Sequence, residues 1–172
     1  MFLLLGIFVV SVNRCRPKML VAASAKKIYG LVTTTSPYCG GARPTDAVVE
    51  EMNRPKPYSG KIIYISRSGE KPDRVTAIKA VTNDTGYFFI DLGPGRYSFY
   101  QEEQLLQIDF SSLDKPGMVE ADTTCLRIWK TTPLAEITVA DTVGAPLKFN
   151  FHRPCFISGD IPCQNYVGPM PP

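Results

Sequence analysis

Thr82-Asn83-Asp84-Thr85-Gly86-Tyr87-Phe88-Phe89-Ile90-Asp91-Leu92-Gly93-Pro94-Gly95-Arg96-Tyr97-Ser98-Phe99 decides the fold of this chain. Asn83 to Gly86 carries the side-chain capping and left-handed backbone chemistry that reverses a strand. Phe88, Ile90 and Leu92 then alternate with Tyr87, Phe89 and Asp91, so one face is wholly apolar and the other mixed. Pro94 has no N–H for a ladder and its flanking glycines accept almost any φ, so Gly93-Pro94-Gly95 ends the strand. Tyr97 and Phe99 resume the alternation on the return. The stretch predicts a hairpin in an antiparallel β-domain.

Working outward, the same criteria predict seven strands: Lys26 to Thr33, Lys61 to Arg67, Val75 to Thr82, Gly86 to Leu92, Arg96 to Glu102, Leu134 to Ala140 and Pro146 to His152. In the last, Leu147, Phe149 and Phe151 face the core while Lys148, Asn150 and His152 face out. Two connections are long, 34–60 and 103–133, and a tail runs from 153 to 172. The first connection predicts a short helix, Thr45 to Asn53, with Val48, Val49 and Met52 on one face. The second has no strong period, although Leu105, Ile108 and Phe110 let it pack down.

Thr82, Gly86, Phe88, Ile90, Leu92, Pro94, Gly95 and Tyr97 fit the pattern T-x-x-x-G-x-F-x-(I/F)-x-L-x-P-G-x-Y. On those residues, and on the opening strand Ile28-Tyr29-Gly30-Leu31-Val32, the segment 26–152 resembles carboxypeptidase-regulatory-like domains. That resemblance implies an all-β, seven-stranded antiparallel Greek-key sandwich similar to transthyretin. It also implies a non-catalytic module of the accessory or stability kind. Pro37-Tyr38-Cys39-Gly40-Gly41-Ala42-Arg43-Pro44 and the tail from Pro162 to Pro172 further resemble a subgroup of uncharacterised exported proteins from the Bacteroidetes, which carries no known activity.

Composition agrees with one domain. The chain has 172 residues, is 44% hydrophobic, and carries 15 Pro and 13 Gly, which suits a loop-rich β-fold with a sizeable core. A net charge of +3 with no basic run longer than Lys26-Lys27 gives no footprint for nucleic acid.

The N-terminus argues for export. Phe2 to Val12 is apolar apart from Gly6 and Ser11, a length that suits a signal sequence and falls short of the about 20 residues that span a bilayer. Val12-Asn13-Arg14-Cys15 reads as a lipobox, making 1–15 the leader, Cys15 the lipid anchor and 16–25 a tether to the domain 26–172. The competing reading cuts after Ala23-Ser24-Ala25, but leaves Arg14, Arg16 and Lys18 between the apolar stretch and the cut. The expectation is a periplasmic or outer-membrane-associated lipoprotein. Its partners would be the membrane, through the lipid, and an envelope protein or glycan.

Strand parity turns the insertions into a prediction. If successive strands alternate in direction, both long connections and the tail leave from the same pole. Cys39, Cys125, Cys155 and Cys163 then converge there as a cysteine-rich cap. In an exported chain such residues form disulfides that hold loops lacking their own core. Three pairings are open, and Cys39–Cys163 with Cys125–Cys155 is preferred because it joins different segments of the cap. The alternative is an envelope metal-binding protein using those four cysteines and His152, although no C-x2-C pair accompanies them.

No catalytic constellation appears. His152 is the one histidine and has no G-x-S-x-G partner, so it reads as a strand-end surface residue. Glu102 and Glu103 are adjacent, so on a strand they point to opposite faces. Asn83-Asp84 offers too few oxygens for calcium, and Gly93-Pro94-Gly95 opens no helix for phosphate. No cofactor is expected. The candidate ligand or partner surface is Tyr38, Arg43, Trp129, His152 and Tyr166 near the cysteine pole, since Trp, Tyr and Arg dominate binding hot spots.

Overall fold

A computed structural model of the chain describes residues 25–140, 146–157 and 159–169. The apolar leader and Cys15, on which the lipid-anchor expectation rests, lie outside the described residues, as do 170–172 of the Pro-rich end.

Strands dominate, with few helices. The order is β1 (Lys26–Thr35), α1 (Asp46–Asn53), β2 (Lys56–Pro57), β3 (Ile62–Arg67), β4 (Ile78–Val81), β5 (Tyr87–Leu92), β6 (Gly95–Gln101) and α2 (Glu102–Leu105). A 3-10 turn at Phe110–Leu113 follows, then β7 (Val119–Ala121), α3 (Thr123–Thr131), β8 (Ala135–Val139), β9 (Leu147–His152) and β10 (Gln164–Tyr166). In one sheet β1 pairs with β5 and β2 on one side and with β9 on the other; the second has the order β4-β3-β6-β8. β7 and β10 form a separate two-stranded ribbon.

The expectation of seven antiparallel strands needs correction in two respects. Ten strands occur among the described residues, because the insertions and tail supply β2, β7 and β10. Backbone running along a folded surface must find partners for its N–H and C=O groups, and these short pairings satisfy them. The β1–β9 pairing is parallel, Gly30 opposite Leu147 through Thr35 opposite His152. The two strands share a heading and lie side by side, so parallel pairing is the one geometry open to them.

Both sheets contribute to one core. Val32, Phe88, Leu92, Phe149 and Phe151 from the first meet Ile63, Ile65, Ala80, Tyr97, Phe99 and Val139 from the second. At its centre Phe99 lies 6.4 Å from Phe88 and 6.1 Å from Phe149, centroid to centroid. The alternations read from sequence hold: Phe88 and Leu92 are buried while Tyr87 and Phe89 are exposed, and Phe149 and Phe151 are buried. Gly30 makes room for this cluster. A Cβ there would sit 2.5 Å from the Phe88 ring.

The turn 82–86 shows why its residues are there. Asn83 Oδ1 accepts from the Thr85 N–H at 3.1 Å, the Thr85 hydroxyl at 2.9 Å and the Tyr87 N–H at 2.9 Å. Gly86 has φ +78°, and a Cβ on it would meet the Val32 carbonyl oxygen at 2.5 Å. Beyond β5, the Tyr97 hydroxyl donates to the Gly93 carbonyl at 3.1 Å and closes the next turn.

The helices depart further from expectation. α1 forms where the 3.6-residue period puts it, but Val48, Val49 and Met52 stay exposed and nothing in the helix is buried. The second insertion, in which no strong period predicts an element, contains α3. Asp122 caps it, accepting from the Thr124 N–H at 2.9 Å and the Cys125 N–H at 3.0 Å. Leu126 is its one fully buried residue.

Candidate functional site

The pole at which β1, β6 and β9 end, and β3 and β8 begin, carries both insertions and the tail. Two disulfides fasten them. Cys39, after β1, bonds Cys155, after β9, with Cα atoms 5.4 Å apart. Cys125, in α3, bonds Cys163, before β10, at 5.9 Å. This pairing replaces the preferred Cys39–Cys163 with Cys125–Cys155. The parallel register explains it: Thr35 opposes His152, so the two exits from β1 and β9 run together to Cys39 and Cys155. The β7–β10 ribbon does the same for the second bridge, since the Asp122 N–H donates to the Cys163 carbonyl at 2.9 Å. With all four sulfurs in disulfides, the alternative thiolate set for zinc, with His152, is not assembled. Among the described residues no group of three or more His, Cys, Asp or Glu is placed to hold a metal.

Of the five aromatic and basic residues expected at a binding surface, Trp129 and His152 line one cavity. It has a volume of about 370 Å³ and is walled also by Leu134, Lys148, Asn150 and Pro162. Trp129, Leu134 and Pro162 also border a neighbouring groove of about 570 Å³ against Ile128, Pro133 and the Cys125–Cys163 bridge. The other three lie outside both cavities. Tyr38 is half-buried beside Cys39, and Arg43 is exposed. The Tyr166 ring packs on Phe156 at 4.6 Å, and its hydroxyl donates to the Pro169 carbonyl at 2.9 Å. His152 is an exposed strand-end residue whose Nδ1 lies 3.3 Å from the Thr35 hydroxyl.

Gln104 positions Trp129. Its side-chain amide donates to the carbonyls of Trp129 at 2.6 Å and Thr132 at 2.7 Å, while its Oε1 accepts from the Gln101 N–H at 3.0 Å. The end of a helix leaves carbonyls without intrahelical donors, and a buried amide from α2 serves Thr132 here and adds a second donor at Trp129, whose carbonyl also accepts from the Thr132 N–H at 3.2 Å.

Asp160, in the wall of the same cavity, centres a cluster of charge whose members share no sequence motif. Lys61 is 5% exposed, and the Asp160 side chain 2%. Lys61 Nζ lies 2.6 Å from Asp160 Oδ2, and 2.8 and 2.9 Å from the two Glu103 oxygens. Arg153 Nε donates to Asp160 Oδ1 at 2.9 Å, and the Tyr58 hydroxyl donates to Asp160 Oδ2 at 2.6 Å. Arg153 also donates to the Tyr58 hydroxyl oxygen. The Gln101 side chain donates to the Asp160 carbonyl at 2.9 Å. Two cations and two carboxylates thus balance, with Lys61 and Asp160 buried and Glu103 and Arg153 reaching solvent, and pairing is the condition under which buried charge is tolerated.

The titration of the cluster follows from its geometry. Burial pushes the Asp160 carboxyl up, but hydrogen bonds from Lys61, Tyr58 and Arg153 outweigh it and hold the group below the usual carboxylate value. The Tyr58 phenol is pushed up to about 12, first by burial and then by its hydrogen bond to Asp160. Arg153 is held above its ordinary value chiefly by its hydrogen bond to Asp160.

The one sequence signal for this cluster is Lys61 itself, a lysine heading the apolar run Ile62-Ile63-Tyr64-Ile65. Glu102 and Glu103 sit on α2 rather than on a strand, yet they still separate: Glu102 pairs with Arg74 at 2.7 Å and Glu103 with Lys61. Among the described residues no helix is long and apolar enough to cross a membrane. Comparison of the chain with protein-family models, curated proteins and solved structures finds no match in any of the three.

Proposed function

We propose that this protein is a non-catalytic binding or structural module of the cell envelope, exported and held by a lipid on Cys15. The observation that carries this reading is the pair of disulfides, which close chain separations of 116 and 38 residues and tie both insertions to the tail. Such bridges persist in oxidising compartments and are rare where thiols are kept reduced. The apolar leader before Cys15 supplies the route there.

In this reading β1, β3, β4, β5, β6, β8 and β9 are the seven strands of a transthyretin-like sandwich of the carboxypeptidase-regulatory-like kind. β2, β7 and β10 are additions. The ligand or partner surface is the groove beside Trp129, where an aromatic face, prolines and a disulfide meet the polar edge of Lys148, Asn150 and His152. An aromatic platform with polar groups on one rim suits an envelope glycan or an extended protein segment.

Two measurements test the proposal. Metabolic labelling with a fatty-acid analogue should mark the wild type and leave Cys15→Ala unmarked; an unlabelled wild type would remove the anchor. Trp129 is the sole tryptophan, so its fluorescence reports directly on the groove. Purified envelope polysaccharide should shift that emission in the wild type, and the shift should weaken in Asn150→Ala. Unchanged emission with both polysaccharide and extracted envelope proteins would leave the structural role alone.

A further inference from the structure

Lys61 is the one lysine buried among the described residues, and two carboxylates face its amine. The Phe151 and Tyr58 rings flank it, their centroids 4.7 and 5.4 Å from Nζ. Asp160 Oδ2 is 2.6 Å away and its Oδ1 is held by Arg153. Glu103 holds the other side of the amine with both oxygens. In water, hydration and dilution keep an amine and a carboxylic acid from condensing. A fixed contact between two buried side chains, Lys61 at 5% and Asp160 at 2% exposure, strips most of their hydration and replaces dilution by contact, since oriented groups reach effective concentrations of about 10⁵–10⁸ M.

We propose that Lys61 and Asp160 condense to an intramolecular isopeptide bond, with Glu103 shuttling the protons. Glu103 takes one proton from the Lys61 ammonium and passes it to Asp160 Oδ2. The freed nitrogen lone pair attacks Asp160 Cγ and forms the C–N bond, while the charge developing on Oδ1 is met by the Arg153 N–H. Glu103 then carries a second proton from nitrogen to Oδ2, the Cγ–Oδ2 bond breaks with its electron pair, and water leaves. The ammonium and carboxylate become an amide and one water, Glu103 ends as it began, and no oxidant or co-reactant is consumed. The event occurs once per chain and involves no turnover. It would join the head of β3 to the tail in the same region that the Cys39–Cys155 disulfide holds, so the tail would stay attached when that disulfide is reduced.

The test is mass spectrometry of the full chain, folded, then denatured and reduced, alongside Glu103→Gln and Lys61→Arg. Reduction is essential, because the disulfide joins the same two segments. The wild type should be lighter by one water than its sequence mass from its own N-terminus, with the peptides carrying Lys61 and Asp160 still linked after digestion. Lys61→Arg should show full mass. Glu103→Gln should fold, by circular dichroism, and stay at full mass. A folded wild type at full mass, with those two peptides recovered separately, would overturn the proposal. Water loss in Glu103→Gln to the wild-type extent would overturn the role given to Glu103.

Discussion

The Gln104 side-chain amide donates to the Trp129 carbonyl at 2.6 Å, so the helix that carries the groove's aromatic residue is tied through one buried side chain to α2 and the end of β6, beside the Lys130 amine, which donates to the Glu103 and Leu106 carbonyls. Gln104 is 3% exposed and also reaches Thr132 and Gln101. Replacing it by Leu keeps most of the volume and removes the side-chain partners of the Thr132 carbonyl and the Gln101 N–H, while the Trp129 carbonyl retains the Thr132 N–H at 3.2 Å. We expect Gln104→Leu to destabilise the chain by about 1–3 kcal/mol, the usual cost of a buried polar group left unpaired. Urea unfolding measures this, and the Trp129 emission should move before the main transition as α3 loosens.

The two disulfides should differ in worth. In the chain-entropy account a bridge stabilises by restricting the unfolded state, by typically about 2–4 kcal/mol and more for a longer loop. The separations of 116 and 38 residues give Cys39–Cys155 an advantage of about 1 kcal/mol over Cys125–Cys163. Unfolding of the paired Cys→Ser variants should therefore show the larger loss for Cys39/Cys155.

Gly86 has two reasons to be glycine. Its φ of +78° is costly for an L side chain, and the Val32 carbonyl and Pro57 backbone close off the space a Cβ needs. Gly86→Ala should lose about 1–3 kcal/mol from backbone strain of this kind, with further loss as β1 and the segment before Tyr58 shift. Gly69→Ala serves as the comparison: it also has positive φ, at 89°, but nothing lies within 4 Å of its Cβ. It should lose less.

The pH dependence has a defined sign at each end. Tyr58 titrates at about 12 in the fold against 10.0 ordinarily, so the folded chain holds that proton more tightly than the unfolded one. Its contribution is complete below pH 10 and is lost as pH rises towards 12, which Tyr58→Phe should remove from the alkaline limb of a stability–pH curve. Asp160 is depressed, so its contribution is present above the ordinary value of 3.8 and is lost as pH falls below it. An Asp160 consumed in an amide would no longer titrate, so chains with and without the crosslink should differ on the acid limb.

Much of this architecture was legible because period-two alternation is a local property. Phe88-Phe89-Ile90 or Leu147 to Phe151 state their faces without reference to the rest of the chain. The heading of each strand followed by parity, which is why the exits from β1, β6 and β9 fall together. What stayed hidden depends on distant partners. The β7–β10 ribbon pairs Val119 with Tyr166, and neither segment signals a strand alone. α3 offered a legible start in Asp122-Thr123-Thr124, but Leu126 and Trp129 make too thin an apolar stripe to declare a period. Asp160 had no signal at all, since its role is set by Lys61 and Arg153 arriving from elsewhere. The disulfide pairing depended on register, which places Thr35 beside His152.

The side-by-side course of β1 and β9 also determines how the molecule would bear tension. Pull residue 25 against residue 169 and the strain runs along β1, crosses at Cys39–Cys155, and passes straight into the tail. The loop of chain between those two cysteines, which holds nearly all of both sheets, lies off that route and would be spared until the sulfur bond itself gave way.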